Sequence, residues 1–220
     1  MKNLKIKLSV CVLILIGLNQ STFAQEKSDN EITILFGTIQ PFLLQGGNVE
    51  INYLTNKIIF EYSHGWSLEL KDQTVVGEAK EQHLSLHLPY STGFGIGYRF
   101  TENFNARFEG KLHKFQVYYE DEPFDKNNLI GEYSTVTLGT GIYYTYKPFK
   151  NKDNALKGIT TSTSIRYWYK VNSTLDNDEL SYFNRITNKQ EIHKASEIGI
   201  ANTPWLFNIS IGYSFGVKTK

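Results

Sequence analysis

The chain has 220 residues, and its 23 Lys+Arg against 22 Asp+Glu leave no electrostatic footprint for nucleic acid. The length fits one domain. With 14 Tyr, 14 Phe and 17 Gly against a single Met and a single Cys, the composition favours strands and turns over helices.

The chain opens with Lys2, Lys5 and Lys7, followed by an apolar run from Leu8 to Leu18, polar Asn19 and Gln20, and the small-residue site Thr22-Phe23-Ala24. This order reads as a secretory signal over residues 1–24, cleaved after Ala24, with the mature domain at 25–220. The run is well short of the ~20 apolar residues that a spanning helix needs. Cys11 is not placed for lipidation, because Val10 precedes it and the apolar run continues past it. The mature chain then has no cysteine, so it uses neither disulfides nor thiolate metal ligands.

Beyond Ala24 no apolar stretch reaches the length of a spanning helix, so membrane residence would rest on strands. Period-2 alternation predicts eight of them, at about 31–44, 48–55, 57–70, 84–100, 104–119, 133–147, 159–171 and 204–216. In the last, Trp205, Phe207, Ile209, Ile211, Tyr213 and Phe215 share one face, and Asn208, Ser210, Gly212 and Ser214 the other. In the fourth, Leu84, Leu86, Leu88, Tyr90, Phe94, Ile96, Tyr98 and Phe100 share a parity, opposite His83, Ser85, His87, Ser91, Gly93, Gly95, Gly97 and Arg99. No helix pattern follows Gly93-x-Gly95-x-Gly97, so it is not a dinucleotide fingerprint; the glycines read as wall positions facing a crowded interior. Similar faces recur around Val136 to Tyr146 and Ile165 to Val171. Short links at Thr55-Asn56-Lys57 and Thr101-Glu102-Asn103, and a modest one at 150–158, alternate with a link near Gly46-Gly47 and polar stretches at 71–83, 120–132 and 172–203. Short turns on one rim and long loops on the other are the pattern of membrane barrels, and they put both mature termini on the periplasmic side.

Gly97-Tyr98-Arg99-Phe100-Thr101-Glu102-Asn103-Phe104, a strand ending in Tyr-x-Phe before a tight turn, resembles the β-turn-β units of small outer-membrane proteins of the OmpA/OmpX/OmpW type. The closing Ile211-Gly212-Tyr213-Ser214-Phe215 is similar to their terminal strand, and the resemblance gives Phe215 a part in the signal read by the barrel-assembly machinery. Here Gly216 to Lys220 follow that aromatic, whereas many relatives end on it. The fold class expected is therefore all-β, an eight-stranded antiparallel up-and-down transmembrane β-barrel in the bacterial outer membrane, with outer-membrane lipid as its surroundings. A soluble barrel of lipocalin type would alternate equally well, but with its apolar face turned inward. An eight-stranded barrel has room for one packed set of interior side chains, and the aromatic and aliphatic faces above would overfill it. Facing lipid, they make an apolar band edged by aromatic girdles.

With the bulky faces outward, Glu50, Glu61, Glu69, Arg99, Arg107, Glu109, Lys111, His113, Arg166 and Lys170 point inward. Unpaired buried ions cost several kcal/mol each, so a network of ion pairs filling a closed lumen is expected. A narrow small-solute channel is the alternative. His83 and Ser85, with His87 on the same face near the long-loop rim, are the minimum for nucleophilic catalysis, and Glu81 has the parity of an orienting carboxylate. A lipid A acyl hydrolase or acyltransferase is the corresponding activity. The parity of His64 with Phe60 and Trp66 turns it toward lipid unless a bulge at Gly65 re-aims it or it sits at headgroup level beside Trp66. The five histidines have no metal-binding spacing, so neither a metal nor a cofactor is expected. The reading that results is a structural or surface-interaction protein acting on an unidentified surface partner through its long loops.

Overall fold

The computed structural model describes residues 30–71, 74 and 77–217. The signal-peptide reading and the start of the mature chain at Gln25 lie outside them. Eight strands close into one antiparallel barrel: β1 (Asn30–Gly37), β2 (Gly47–Leu54), β3 (Ile58–Leu70), β4 (Leu84–Arg99), β5 (Phe104–Tyr119), β6 (Gly131–Tyr146), β7 (Ile159–Ser173) and β10 (Trp205–Val217), with β10 sealed against β1. The remaining two, β8 (Glu179–Asn184) and β9 (Lys189–Lys194), pair only with each other. Two short helices, α1 (Ile39–Leu43) and α2 (Glu78–Glu81), lie in links on the long-loop side. No helix among the described residues is long and apolar enough to cross a membrane.

Register fixes the shape. From Phe215 the ladder runs across Ile32, Tyr53, Phe60, Ile96, Phe108, Thr140 and Tyr167, and returns to β10 at Trp205, ten positions from its start. A stagger of that size in eight strands tilts them by roughly 40–45°. Every residue on this path but Thr140 is bulky, and the outward faces around it hold the exposed Phe36, Ile51, Phe94, Ile142, Ile165 and Ile211. Aromatic residues edge this belt: Tyr98, Phe100, Phe104, Tyr144, Tyr213 and Phe215 toward the short turns, and Trp66, Tyr90, Tyr169 and Trp205 toward the long loops.

The short turns are tied locally. Thr55 Oγ1 accepts from the Ile58 N–H at 2.9 Å, and Thr101 Oγ1 accepts from Phe104 N–H at 2.9 Å. On the opposite side β3 to β7 continue beyond the belt while β1 stops at Gly37. There the faces of β3 and β4 exchange. Ser67 has φ of +49°, and the β4–β5 register shifts between His87 and Ser91, so Leu68, Leu70, Leu84, Leu86 and Leu88 turn inward. The period-2 reading put these leucines of β4 on the lipid face with Phe94; an extra residue in β4 reverses parity and was invisible to it. Above the belt the interior is thus an apolar core, in which Phe115, Val117, Tyr119 and Tyr133 meet those leucines.

Two predicted spans change in kind. The strand expected over 31–44 stops at Gly37 and becomes α1, and the expected link near Gly46-Gly47 becomes the connection over 38–46. The segment 172–203, read as a long polar loop, contains the β8–β9 hairpin, which covers the apolar core.

Candidate functional site

At mid-belt height the interior is polar and crossed by a single network. Arg107 on β5 donates through Nη1 to Glu50 Oε1 at 2.6 Å, Asn52 Oδ1 at 2.8 Å and Glu61 Oε2 at 2.7 Å, and through Nε to Asn105 Oδ1 at 2.8 Å. Its guanidinium lies 3.9 Å from the centre of the Tyr143 ring, and the Tyr143 hydroxyl donates to Glu109. Glu109 also faces Lys111 Nζ at 3.2 Å and Arg166 Nη1 at 3.6 Å. Glu50, Glu61 and Glu109 are thus matched by Arg107, Lys111 and Arg166, a neutral set drawn from four strands. Charge-assisted and bidentate-capable contacts of this kind are the strong ones.

The glycines make room for it. Gly93, Gly95 and Gly97 stand directly across from Lys111, Glu109 and Arg107, and Gly139 stands across from Glu109 on one side and Trp168 on the other. A Cβ at Gly95 would lie 2.8 Å from Glu109 Cγ, and one at Gly139 would lie 2.4 Å from the Trp168 ring. The Gly-x-Gly-x-Gly run is therefore the hollow in the wall into which the long charged side chains bend. Just above, His113 bridges Ser91 Oγ and Thr137 Oγ1, each at 2.8 Å.

Of the ten residues read as inward, Glu50, Glu61, Arg107, Glu109, Lys111 and Arg166 meet in this network, His113 lies inside just above it, and three are placed elsewhere. Glu69 falls beyond the Ser67 bulge, where the β3 faces have exchanged; it pairs with Lys71 at 2.8 Å and stands opposite His87. Arg99 closes β4 at the short-turn rim, where it donates to the Thr55 carbonyl at 2.9 Å. Lys170 points into the upper interior but holds the cap, donating to the Ala195 carbonyl at 2.8 Å and pairing with Asp178 at 3.2 Å. Asn52, Asn105 and Tyr143 belong to the network and were not singled out. The parity that picked out Glu50 and Arg107 also selects Asn52 and Asn105, but attention to charge alone passed over them.

The cap is held by hydrogen bonds from side chains to backbone, running in both directions between it and the barrel side. Tyr119 OH donates to the Phe183 carbonyl at 3.0 Å, Gln82 Nε2 to the Ile192 carbonyl at 2.7 Å, and Asn184 Nδ2 to the Gln82 carbonyl at 3.0 Å. Tyr133, stacked on Phe115 at 5.0 Å, accepts from the Ser196 N–H at 3.1 Å and lies 3.4 Å from His193 Nε2. Burial among these groups pulls His193 down to about 4. Outside, the cap exposes Phe183, Ile186 and Ile192. Between it and the 120–130 loop lies an open groove of about 490 Å³, lined by Tyr119, Glu122, Asn127, Ile130, Tyr182 and Arg185 among others. Arg185 spans the groove wall, paired with Glu122 at 2.6 Å and lying 4.2 Å from the Tyr119 ring centre.

His83 and Ser85 do not meet. His83 sits in the turn after α2 with φ of +55°, and its Nδ1 lies 2.9 Å from Glu120 Oε1. The Ser85 hydroxyl is buried and has no hydrogen-bond partner. His87 stacks on Phe124 of the 120–130 loop and bonds Gln116 at 3.1 Å. The carboxylate beside His83 is thus Glu120, not Glu81, because the β4–β5 pairing carries Glu120 to it. His64 lies without a bulge between Val49 and Thr92 in the ladder, its ring parallel to Trp66 at 6.4 Å. Among the described residues no group of three or more His, Cys, Asp or Glu is placed to hold a metal ion.

No family model and no curated protein sequence matches the chain. Among solved structures it is similar to the N-terminal β-barrel domain of Pseudomonas aeruginosa OprF, with a TM-score of 0.39 and 13% identity, over 86% of this chain and 100% of that one.

Proposed function

We propose that this chain is a bacterial outer-membrane protein whose barrel is a closed scaffold and whose activity is the binding of a surface partner at the cap. The belt is the first support. Aromatic-edged and apolar on its outer face, it wraps a polar, charge-matched interior, which is the solvent order of a membrane rather than of a water-soluble barrel. The observation that carries the functional reading is the double closure of the interior. The Arg107–Glu50–Glu61 contacts cross it at mid-height, and the apolar core under β8–β9 closes it above. What is left accessible for recognition is the tip, where Phe183 and Arg185 line an open groove and Ile186 and Ile192 are also exposed. Outer-membrane lipid surrounds the belt, and the barrel-assembly machinery is the partner during biogenesis.

The reading is tested with a photo-crosslinking residue at Phe183 or at Ile142, in cells from which the outer membrane is then isolated. Ile142 is expected to give lipid adducts alone and Phe183 a discrete adduct with a surface molecule. Identical lipid-only products at both positions would overturn the binding role, and recovery of the protein in the soluble periplasm would overturn the membrane one.

A further inference from the structure

The belt has a gap at β1. A strand tilted by roughly 40–45° climbs about 2.4 Å along the barrel axis per residue, so the ten positions from Phe215 to Trp205 span about 24 Å. That matches the apolar band of about 25 Å that membrane barrels carry. By the same measure β1, which enters the path at Ile32, ends at Gly37 about 15 Å above Phe215 and about 9 Å below Trp205. The chain therefore leaves the ladder while still at the height of the belt, where unpaired backbone is not tolerated against lipid.

What stands in the gap is α1. It is anchored at both ends: Thr38 N–H donates to the Ile209 carbonyl of β10 at 2.9 Å, Leu44 N–H to the Gln40 carbonyl at 2.9 Å, and Glu69 N–H of β3 to the Leu44 carbonyl at 2.7 Å. The Gln40 side chain lies over Gly37, so close that a Cβ there would meet its Oε1 at 2.1 Å. The opposite side of the helix shows Phe42 at 84% and Leu43 at 60% exposure, with no buried residue in the element. Trp66 of the upper girdle lies flat across Gly47, just past the helix.

We infer that α1 is a lipid-seated patch in the barrel wall: Phe42 and Leu43 rest against acyl chains of the outer leaflet and continue the apolar belt over the notch that β1 leaves. This rests on the membrane reading above. A helical turn suits the position because it keeps the Leu44 N–H to Gln40 carbonyl bond local where the ladder has ended, and because Gln40 faces the barrel while Phe42 and Leu43 face out. A loop in extended conformation would present open N–H and C=O groups to hydrocarbon.

Site-directed spin labels separate the two readings. In a Cys11→Ser background, which removes the chain's one cysteine, single cysteines replace Phe42, Leu43, Phe94 or Asn188. Each labelled protein is folded into phosphatidylcholine vesicles and collided with oxygen and with a water-soluble nickel chelate. Phe94, mid-belt, is expected to favour oxygen, and Asn188, at the cap turn, the chelate; Phe42 and Leu43 are expected to behave like Phe94. If both α1 labels match Asn188 while Phe94 keeps its lipid signature, α1 stands in water and the inference is overturned. If Phe94 itself favours the chelate, the membrane reading falls and the inference with it. Two neighbouring α1 positions guard against one label distorting its own site.

Discussion

At the scale of single residues, the interior and the belt obey opposite rules. Arg107 is buried between two carboxylates, so removing it breaks the ion pairs of both Glu50 and Glu61. Breaking a buried pair in this way costs about 3–5 kcal/mol. Arg107→Met is expected to lose stability on that scale in urea titrations of the vesicle-folded protein, and the triple variant with Glu50→Gln and Glu61→Gln to recover much of it. Equal stability of the triple and the single variant would mean that Arg107 acts through packing on Tyr143 rather than through charge. On the outer face, Ile211 is half-exposed near the middle of the belt. Ile211→Arg should reduce stability by about 2–4 kcal/mol. Indifference of the folded fraction to that change would mean that this face does not meet lipid.

At the scale of elements, the β8–β9 hairpin is a lid on an apolar core, and its hold is expected to depend on pH. His193 is buried and neutral, with burial drawing it down to about 4, whereas a solvated histidine titrates near 6.5. The undocked hairpin therefore binds more protons between those values. Docking is fully favoured above about pH 6.5, weakens as pH falls through the window, and has lost roughly 2 kcal/mol at pH 5. Hydrogen exchange of the 179–194 amides should speed up between pH 7 and pH 5, and His193→Gln should flatten the difference; an unchanged pH response in that variant would assign it elsewhere. Deleting Glu179–Lys194 should leave the heat-modifiable barrel intact, since the belt ladder lies elsewhere, while exposing Leu84, Tyr119 and Tyr133 to protease and to hydrophobic dyes. Loss of the barrel itself would show that the hairpin is needed for closure and not only for covering.

At the scale of the whole molecule, polarity is arranged in two storeys. Within the belt, apolar side chains face out and charges face in; above it, β3 and β4 exchange faces and an ordinary apolar core forms under the hairpin. No aqueous path is expected to survive both. Purified protein in planar bilayers should show no stable openings, and Arg107→Ala should give at most brief ones while the cap remains. Stable, ion-selective conductance of the unaltered chain that changes with Glu109→Gln would promote the channel reading.

Alternation along the chain was enough to place the eight barrel strands and to sort their side chains to two faces, because period 2 holds wherever the ladder is regular; that the bulky face turns outward followed from the small interior volume of eight strands. It also selected the six charged residues of the mid-belt network, since Glu50, Glu61, Arg107, Glu109, Lys111 and Arg166 all lie in regular stretches. What it missed lies where regularity ends. The bulges beside Ser67 and between His87 and Ser91 reverse parity, which took Glu69 out of the interior and brought Leu84 to Leu88 into it. The end of β1 at Gly37 depends on Thr38 and Leu44 finding partners on β10 and β3, contacts across the closed barrel that local pattern does not carry. The hairpin within 172–203 has short, weakly alternating strands, and it is held by Tyr119, Gln82 and Tyr133 from distant parts of the chain. Local periodicity decided which way a strand faces; only the closed tertiary structure decided where each strand stops and what fills the space beyond it.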